Sequence, residues 1–152
     1  MTMVFRQLDF ERLYDAPAVR VFAALADPAA RERWAVPAGS RLVYDQSEFR
    51  PGGVDLCRCG SPDDLRYSVE NRYLEIIADR RIVLSETTRE GAAVLSHSLN
   101  ATELEPDAGG TRLRLTILLA ACDPGMIAGA QHGYQAALDN LAGEVAIRGA
   151  RP

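Results

Sequence analysis

Residues 110–148 read GTRLRLTILLAACDPGMIAGAQHGYQAALDNLAGEVAIR, a strand pattern that changes into a helix pattern at Asp123-Pro124. Before that point apolar and polar residues alternate, as expected for a half-buried strand. The apolar members are Leu113, Leu115, Ile117 and Leu119. After it, the apolar residues fall within one arc of about 120° on a helical wheel. These are Met126, Ile127, Ala130, Tyr134, Ala137, Leu138, Leu141 and Val145. The sequence therefore predicts a strand followed directly by a long amphipathic helix over 124–148.

Upstream, the chain shows short strand patterns separated by turn signals. Residues 4–14 alternate as a strand, and two short helices follow it. The first begins after Asp15-Ala16-Pro17, with Asp15 as its cap, and the second begins at Asp27-Pro28. The later strand patterns are 41–49, 54–59 and the segments around Tyr67, Ile82, Leu95 and Leu115. This order is typical of the α+β class. We expect one domain, 1–152, with a curved antiparallel sheet of about six or seven strands around the C-terminal helix.

The charge and cysteine content exclude several classes of protein. The chain has 17 basic and 21 acidic residues, a net charge of −4, and its arginines are scattered, which argues against nucleic acid as a partner. No run of about 18 apolar residues is present, so we expect no membrane span. The N-terminus lacks the apolar core of a secretion signal, so we expect a cytoplasmic protein whose three cysteines are reduced. The spacing of His and Cys fits no metal site, and no phosphate or dinucleotide motif occurs, so we expect no metal and no cofactor.

A series of short motifs resembles a known family. They are Asp15-Ala16-Pro17 with Val21-Phe22, Asp27-Pro28 with Arg33-Trp34, Arg50-Pro51-Gly52-Gly53, Tyr73-Leu74-Glu75-Ile76, Arg81-Ile82-Val83 and Gly110-Thr111-Arg112-Leu113. Their order and spacing are similar to the START-like (SRPBCC) superfamily, in the branch that resembles the C-terminal domain of the activator of the ninety-kilodalton heat-shock protein ATPase. The resemblance implies a helix-grip fold, in which a curved antiparallel sheet clasps a long C-terminal helix over a hydrophobic cavity.

Three functions are compatible with this resemblance, whose members include lipid carriers, plant hormone-binding proteins, aromatase/cyclases and many bacterial proteins. The first is a carrier or sensor that binds a small hydrophobic or aromatic molecule between helix and sheet. The second is an enzyme similar to polyketide cyclases and dehydratases, which would use polar groups such as Asp55 and His97. The third is a co-chaperone-like protein-interaction module. We expect the first rather than an enzyme, because a cavity follows from the fold whereas no catalytic constellation is found. The sequence is also compatible with a homodimer.

The candidate ligand-binding residues are those expected to border the cavity. They are Trp34, Phe49, Cys57, Tyr67, Tyr73, His97, Leu99, Met126, Ala130 and Tyr134. Trp34 is either a wall of the cavity mouth or a plug beneath the short helices. His97 shares the alternation of Leu95 and Leu99, so we expect it to face inward, as a core group or as a group that orients a ligand. Which face of the strand at 54–59 points inward is left open.

Overall fold

The computed structural model describes residues 2–149, with side chains as far as residue 146. Seven strands and three helices lie in this part of the chain. In order they are β1 (Val4–Tyr14), α1 (Ala18–Ala26), α2 (Pro28–Trp34), β2 (Arg41–Gln46), β3 (Val54–Ser61), β4 (Asp64–Ile77), β5 (Arg81–Glu90), β6 (Ala93–Asp107), β7 (Gly110–Ala121) and α3 (Pro124–Gly149). The two short helices follow the first strand and the long helix comes last, as the sequence predicted.

The strands form a single antiparallel sheet in the order β1-β7-β6-β5-β4-β3-β2. From β2 to β7 each strand pairs with the next one along the chain, and β1 pairs with β7. The segment α1–α2 therefore connects the two edge strands, β1 and β2. This architecture is the expected α+β helix-grip fold. None of the helices described here has the length and apolar character needed to cross a membrane.

Local signals fix the two short helices only in part. Asp27 ends α1 and caps α2, because its side chain accepts a hydrogen bond at 3.1 Å from the backbone amide two residues ahead. The prediction that Asp15 caps α1 is wrong, since Pro17 occupies the N-cap position and no side chain caps that end. The α2 helix is short, yet it turns Arg31 and Trp34 inward, and both are buried.

The hydrophobic core lies beneath the β1–β7 side of the sheet. Helix α3 packs mainly against β1 and β7 of the sheet and against α1 and α2. Every residue of the predicted apolar arc of α3 belongs to this core or packs against it. Burial increases along the helix, from the half-buried Met126 and Tyr134 to Leu141 and Val145, which are 0% and 2% exposed. The second half of α3 is therefore sealed against the sheet, whereas its first half is only partly covered.

One predicted face is wrong. On β6, Leu95, His97 and Leu99 lie on the convex side of the sheet, where His97 is exposed and Leu99 is 41% exposed. The concave side carries Ser96, Ser98, Asn100, Thr102 and Leu104 instead. Alternation separates the two faces of a strand but does not say which one is buried. That choice is fixed by the neighbouring strand, because Asn100 pairs with the fully buried Ile117.

Candidate functional site

The concave face of the sheet is covered unevenly. Because α3 packs mainly on β1 and β7, several concave side chains of β3–β6 remain half-buried. We call these side chains the floor: they are Cys59, Tyr67, Val69, Leu84, Glu86, Thr88, Ser96 and Ser98. Four residues in the first half of α3 are half-buried as well, namely Met126, Ile127, Ala130 and Tyr134. The partly covered region between the floor and the first half of α3 is referred to below as the cleft.

A buried ion pair lies at the β2–β4 end of the cleft. Arg31 Nη1 lies 2.6 Å from Asp55 Oδ2, and the two side chains are 8% and 0% exposed. The same Nη1 donates to the hydroxyls of Tyr44 and Tyr73, each at 3.1 Å, while the Tyr73 hydroxyl donates to Asp55. The backbone amide of Glu48 donates to the other carboxylate oxygen of Asp55 at 3.1 Å. These hydrogen bonds offset the cost of removing both charges from water.

Burial and the neighbouring groups raise the pKa of Arg31 and of both tyrosines in this ion-pair cluster. Burial alone would lower the pKa of Arg31, but the neighbouring tyrosines and Asp55 outweigh it, so the pKa of Arg31 is raised. Burial also raises the pKa of Tyr44 and of Tyr73 above the ordinary range of tyrosine, against the opposing charge of Arg31. The ring of Phe49 packs edge-on against Tyr73, with centroids 5.0 Å apart. The cluster thus pairs one buried positive charge with one buried carboxylate.

A second polar network connects the floor with α3. The Tyr134 hydroxyl donates to Glu86 Oε1 at 2.9 Å, and Asn100 Nδ2 donates to the Tyr134 hydroxyl oxygen at 3.1 Å. Burial raises the pKa of Glu86, although the hydrogen bond from Tyr134 opposes this shift. The pKa of Tyr134 is raised by burial and by the nearby Glu86. Asn71 on β4 stands directly opposite Glu86 in the strand register. Unlike the ion pair, this network has no cation to balance its carboxyl group.

Strand β3 turns Asp55, Cys57 and Cys59 toward the concave side, which answers the question that the sequence left open. Burial raises the pKa of the Cys57 thiol to about 12, so this thiol stays protonated and poorly nucleophilic. Over residues 2–149, no group of three or more His, Cys, Asp and Glu side chains is arranged to hold a metal ion.

The structure distributes the predicted site residues over different places. Those on or beside the cleft are Phe49, Cys57, Tyr67, Tyr73, Met126, Ala130 and Tyr134. Trp34 belongs to the core, where its indole N–H donates to the Ala24 carbonyl at 3.0 Å, so it is a plug beneath the short helices. His97 and Leu99 lie on the convex face, and the prediction that they border the cavity is wrong. The enzyme hypothesis required Asp55 and His97 to act together, but the two side chains lie on opposite faces of the sheet.

Sequence reasoning did not identify several polar residues that shape the cleft. Arg31 stands in the charged run Arg31-Glu32-Arg33, and nothing in that run distinguishes the buried arginine from its two exposed neighbours, Glu32 and Arg33. Glu86 was detectable, because it continues the alternation of Ile82 and Leu84 on β5 and so belongs to their concave face. Asn100 was hidden by the wrong choice of face on β6.

Comparisons with known proteins agree with this architecture. The family model described as Activator of Hsp90 ATPase homolog 1-like protein matches residues 15–146. An uncharacterised protein from Rhizobium leguminosarum shares 29% identity, with a TM-score of 0.84 over 95% of this chain and 96% of the other. A protein from Rhizobium loti shares 30% identity, with a TM-score of 0.78 over 95% of this chain and 99% of the other. No curated protein matches the chain.

The family match covers most of the chain, and it includes both the Arg31–Asp55 ion pair and the Glu86–Tyr134 network. The fold agrees with this assignment, because the antiparallel sheet and the long C-terminal helix packed on it are those that the resemblance implied. The chain therefore belongs to the Activator of Hsp90 ATPase homolog 1-like family of the START-like superfamily.

Proposed function

We propose that this protein binds a small molecule with an apolar or aromatic body in the cleft, as a carrier or sensor. The observation that carries the proposal is the incomplete packing of inward-facing apolar side chains. Two apolar side chains of the floor point into the interior and yet remain half-buried, Val69 and Leu84. The same is true of two apolar side chains of α3, Met126 and Ala130. The START-like fold commonly binds hydrophobic ligands, which supports the same interpretation.

A ligand in the cleft would gain binding free energy because it would remove apolar protein surface from water. Burial of apolar surface contributes roughly 25 cal/mol per Å², so a ligand that covers about 100 Å² of the cleft walls gains about 2.5 kcal/mol from the protein side alone. The polar groups of the floor and of Tyr134 would then fix the orientation of the ligand, as the few polar groups of small-molecule sites usually do.

A second candidate function rests on the convex face. Phe5 is 69% exposed, Leu118 is 50% exposed and Leu99 is 41% exposed, and the strand register places them on adjacent strands. Phe5, Leu118 and His97 border a shallow depression of about 530 Å³. An exposed apolar patch of this kind is what the protein-interaction module would need.

The neutral dye Nile red, whose emission increases in apolar surroundings, distinguishes the two candidates. In the variant Ala130→Trp the new ring projects into the cleft, so we expect dye affinity to fall about tenfold, or roughly 1.4 kcal/mol. Gln131→Trp is the matched control, because the same ring is added one residue away on the exposed side of α3. A third variant, Leu118→Ser, tests the convex face.

The cleft proposal is supported if only Ala130→Trp weakens dye binding. If Leu118→Ser abolishes binding and Ala130→Trp does not, the apolar site is on the convex face and the interaction module is the better interpretation. If the wild-type protein does not bind the dye, the cleft is not an apolar site. Thermal denaturation of each variant, measured without dye, checks that the substitution has not unfolded the protein.

A further inference from the structure

Glu86 is a carboxyl group that faces the cleft without a cation. It sits on β5 in the middle of the floor, half-buried, and its side-chain donor is the Tyr134 hydroxyl at 2.9 Å. Within the described side chains, residues 2–146, no ion pair joins Glu86 to an arginine or a histidine. Asp55, only two strands away in the same register, has Arg31 at 2.6 Å. The cleft therefore contains one balanced and one unbalanced acidic group.

Two buried amide oxygens near Glu86 lack hydrogen-bond donors. Asn71 and Asn100 are 8% and 6% exposed, and the Oδ1 atom of each has no partner among the residues described. Asn71 is the direct cross-strand neighbour of Glu86, and Asn100 is linked to Glu86 through the Tyr134 hydroxyl. Because Asn100 Nδ2 already donates to Tyr134, its oxygen is the free end of that amide. A buried acceptor without a donor destabilises the folded protein, so each oxygen is a site where a ligand that supplies a donor can gain affinity.

The unpartnered buried atoms on the strands that flank Glu86, Asn71 Oδ1 and Asn100 Oδ1, are both acceptors, and this restricts the chemistry of a partner. The other buried atom without a partner among the residues described is the Nε of Arg31, which belongs to the ion-pair cluster. A protonated amine supplies up to three N–H donors and one positive charge, which match a carboxylate and two amide oxygens. We propose, on the basis of the cleft-binding function above, that the ligand is an apolar or aromatic amine whose ammonium group binds Glu86 between Asn71 and Asn100.

The other charged group of the cleft does not favour an acidic ligand. Arg31 has its Nη atoms committed to Asp55, to two tyrosine hydroxyls, to Ser47 and to a backbone carbonyl. The raised pKa of Glu86 has burial as its cause, and a cation beside the carboxylate would lower that pKa again. A bound ammonium thus supplies to Glu86 what Arg31 supplies to Asp55.

Three naphthalene compounds that differ only in the head group test this inference: naphthylethylamine, naphthylethanol and naphthylacetate. Calorimetric titration near neutral pH is expected to rank the amine tightest, by at least about tenfold over the alcohol, with the acid weakest. In Glu86→Gln, which keeps the shape of the side chain, the ratio of amine to alcohol affinity should fall close to one. Glu103→Gln is the matched control, because it removes one negative charge from the exposed side of β6 and should keep the ratio.

A second variant, Asn71→Leu, removes one of the acceptors and keeps Glu86, so it should lower the ratio by a smaller factor. The inference is overturned if the wild-type protein binds the alcohol or the acid as tightly as the amine, or if Glu86→Gln keeps the preference. In those cases Nile red still binds and Ala130→Trp still blocks it, so the cleft-binding function survives. Failure of both the dye and the whole series to bind rejects the two proposals together.

Discussion

The buried ion pair provides the most direct test of how the cleft is built. Asp55 is fully buried and Arg31 is 8% exposed on its side chain, so removal of one partner leaves the other charge in the interior without compensation. The substitution Asp55→Ala should therefore lower the free energy of unfolding by about 3–5 kcal/mol. For a chain of this length, that loss corresponds to a fall in Tm of about 6–20 °C.

Urea denaturation followed by circular dichroism measures this loss, and a double-mutant cycle separates the pair from its surroundings. Replacement of both charges, in Arg31→Met with Asp55→Leu, should recover a large part of the stability that either single substitution removes, because no lone charge is then buried. In the double variant the hydroxyls of Tyr44 and Tyr73 both lose a partner, so the recovery is incomplete.

The control is an ion pair of the same two residue types at the surface. Arg58 and Asp45 form two hydrogen bonds, at 2.8 and 2.9 Å, but each side chain is 46% exposed. Asp45→Ala should change the urea midpoint little, since water replaces the lost partner. If Asp45→Ala and Asp55→Ala destabilise the protein equally, burial is not what makes the inner pair important, and the reasoning fails.

Three further predictions concern packing, a thiol and pH. Leu141→Ala on the sealed half of α3 should cost about 2–5 kcal/mol of unfolding free energy, whereas Leu13→Ala, at a site 66% exposed, should cost less than about 0.5 kcal/mol, both by urea denaturation. Iodoacetamide should not modify Cys57 in the folded protein at pH 8, because burial raises its pKa to about 12, and mass spectrometry should show the modification only after unfolding. The free energy of unfolding, measured by urea denaturation, should fall as the pH rises from the ordinary glutamate pKa of 4.5 toward the raised pKa of Glu86. In that range the folded state binds more protons than the unfolded state. The variant Glu86→Gln should show a smaller fall.

The order of strands and helices could be predicted because each element has its own local pattern of apolar and polar residues. The alternation in β7 and the apolar arc of α3 both reflect burial on one side of a single element, and both agree with the structure. On β6 the same rule failed, because the strand carries Leu95 and Leu99 on its convex side and serine and asparagine on its concave side. A strand that lines a polar cleft reverses the usual relation between apolar residues and the interior.

The candidate site was less predictable because its residues meet only through tertiary structure. Arg31 and Asp55 are 24 positions apart, and their contact depends on the inward turn of α2 and on the register of β3. Tyr134 reaches Glu86 across 48 positions, from a helix to the opposite strand. No local pattern contains such distances, so the polar half of the cleft requires the assembled fold.

The closely packed core and the proposed binding cleft lie beneath different halves of α3. The apolar core under β1 and β7 includes Leu141 and Val145 and holds the second half of α3 in place, so the floor beneath the first half is free to carry polar groups. Among these, the Arg31–Asp55 pair balances its own charge, whereas the raised pKa of Glu86 means that its carboxylate form lowers the stability of the folded protein. Under the proposal above, the ammonium group of a bound ligand would offset this loss of stability. Without ligand, Glu86→Gln should then be more stable than the wild type above the pKa of Glu86, and the same variant should bind naphthylethylamine less tightly.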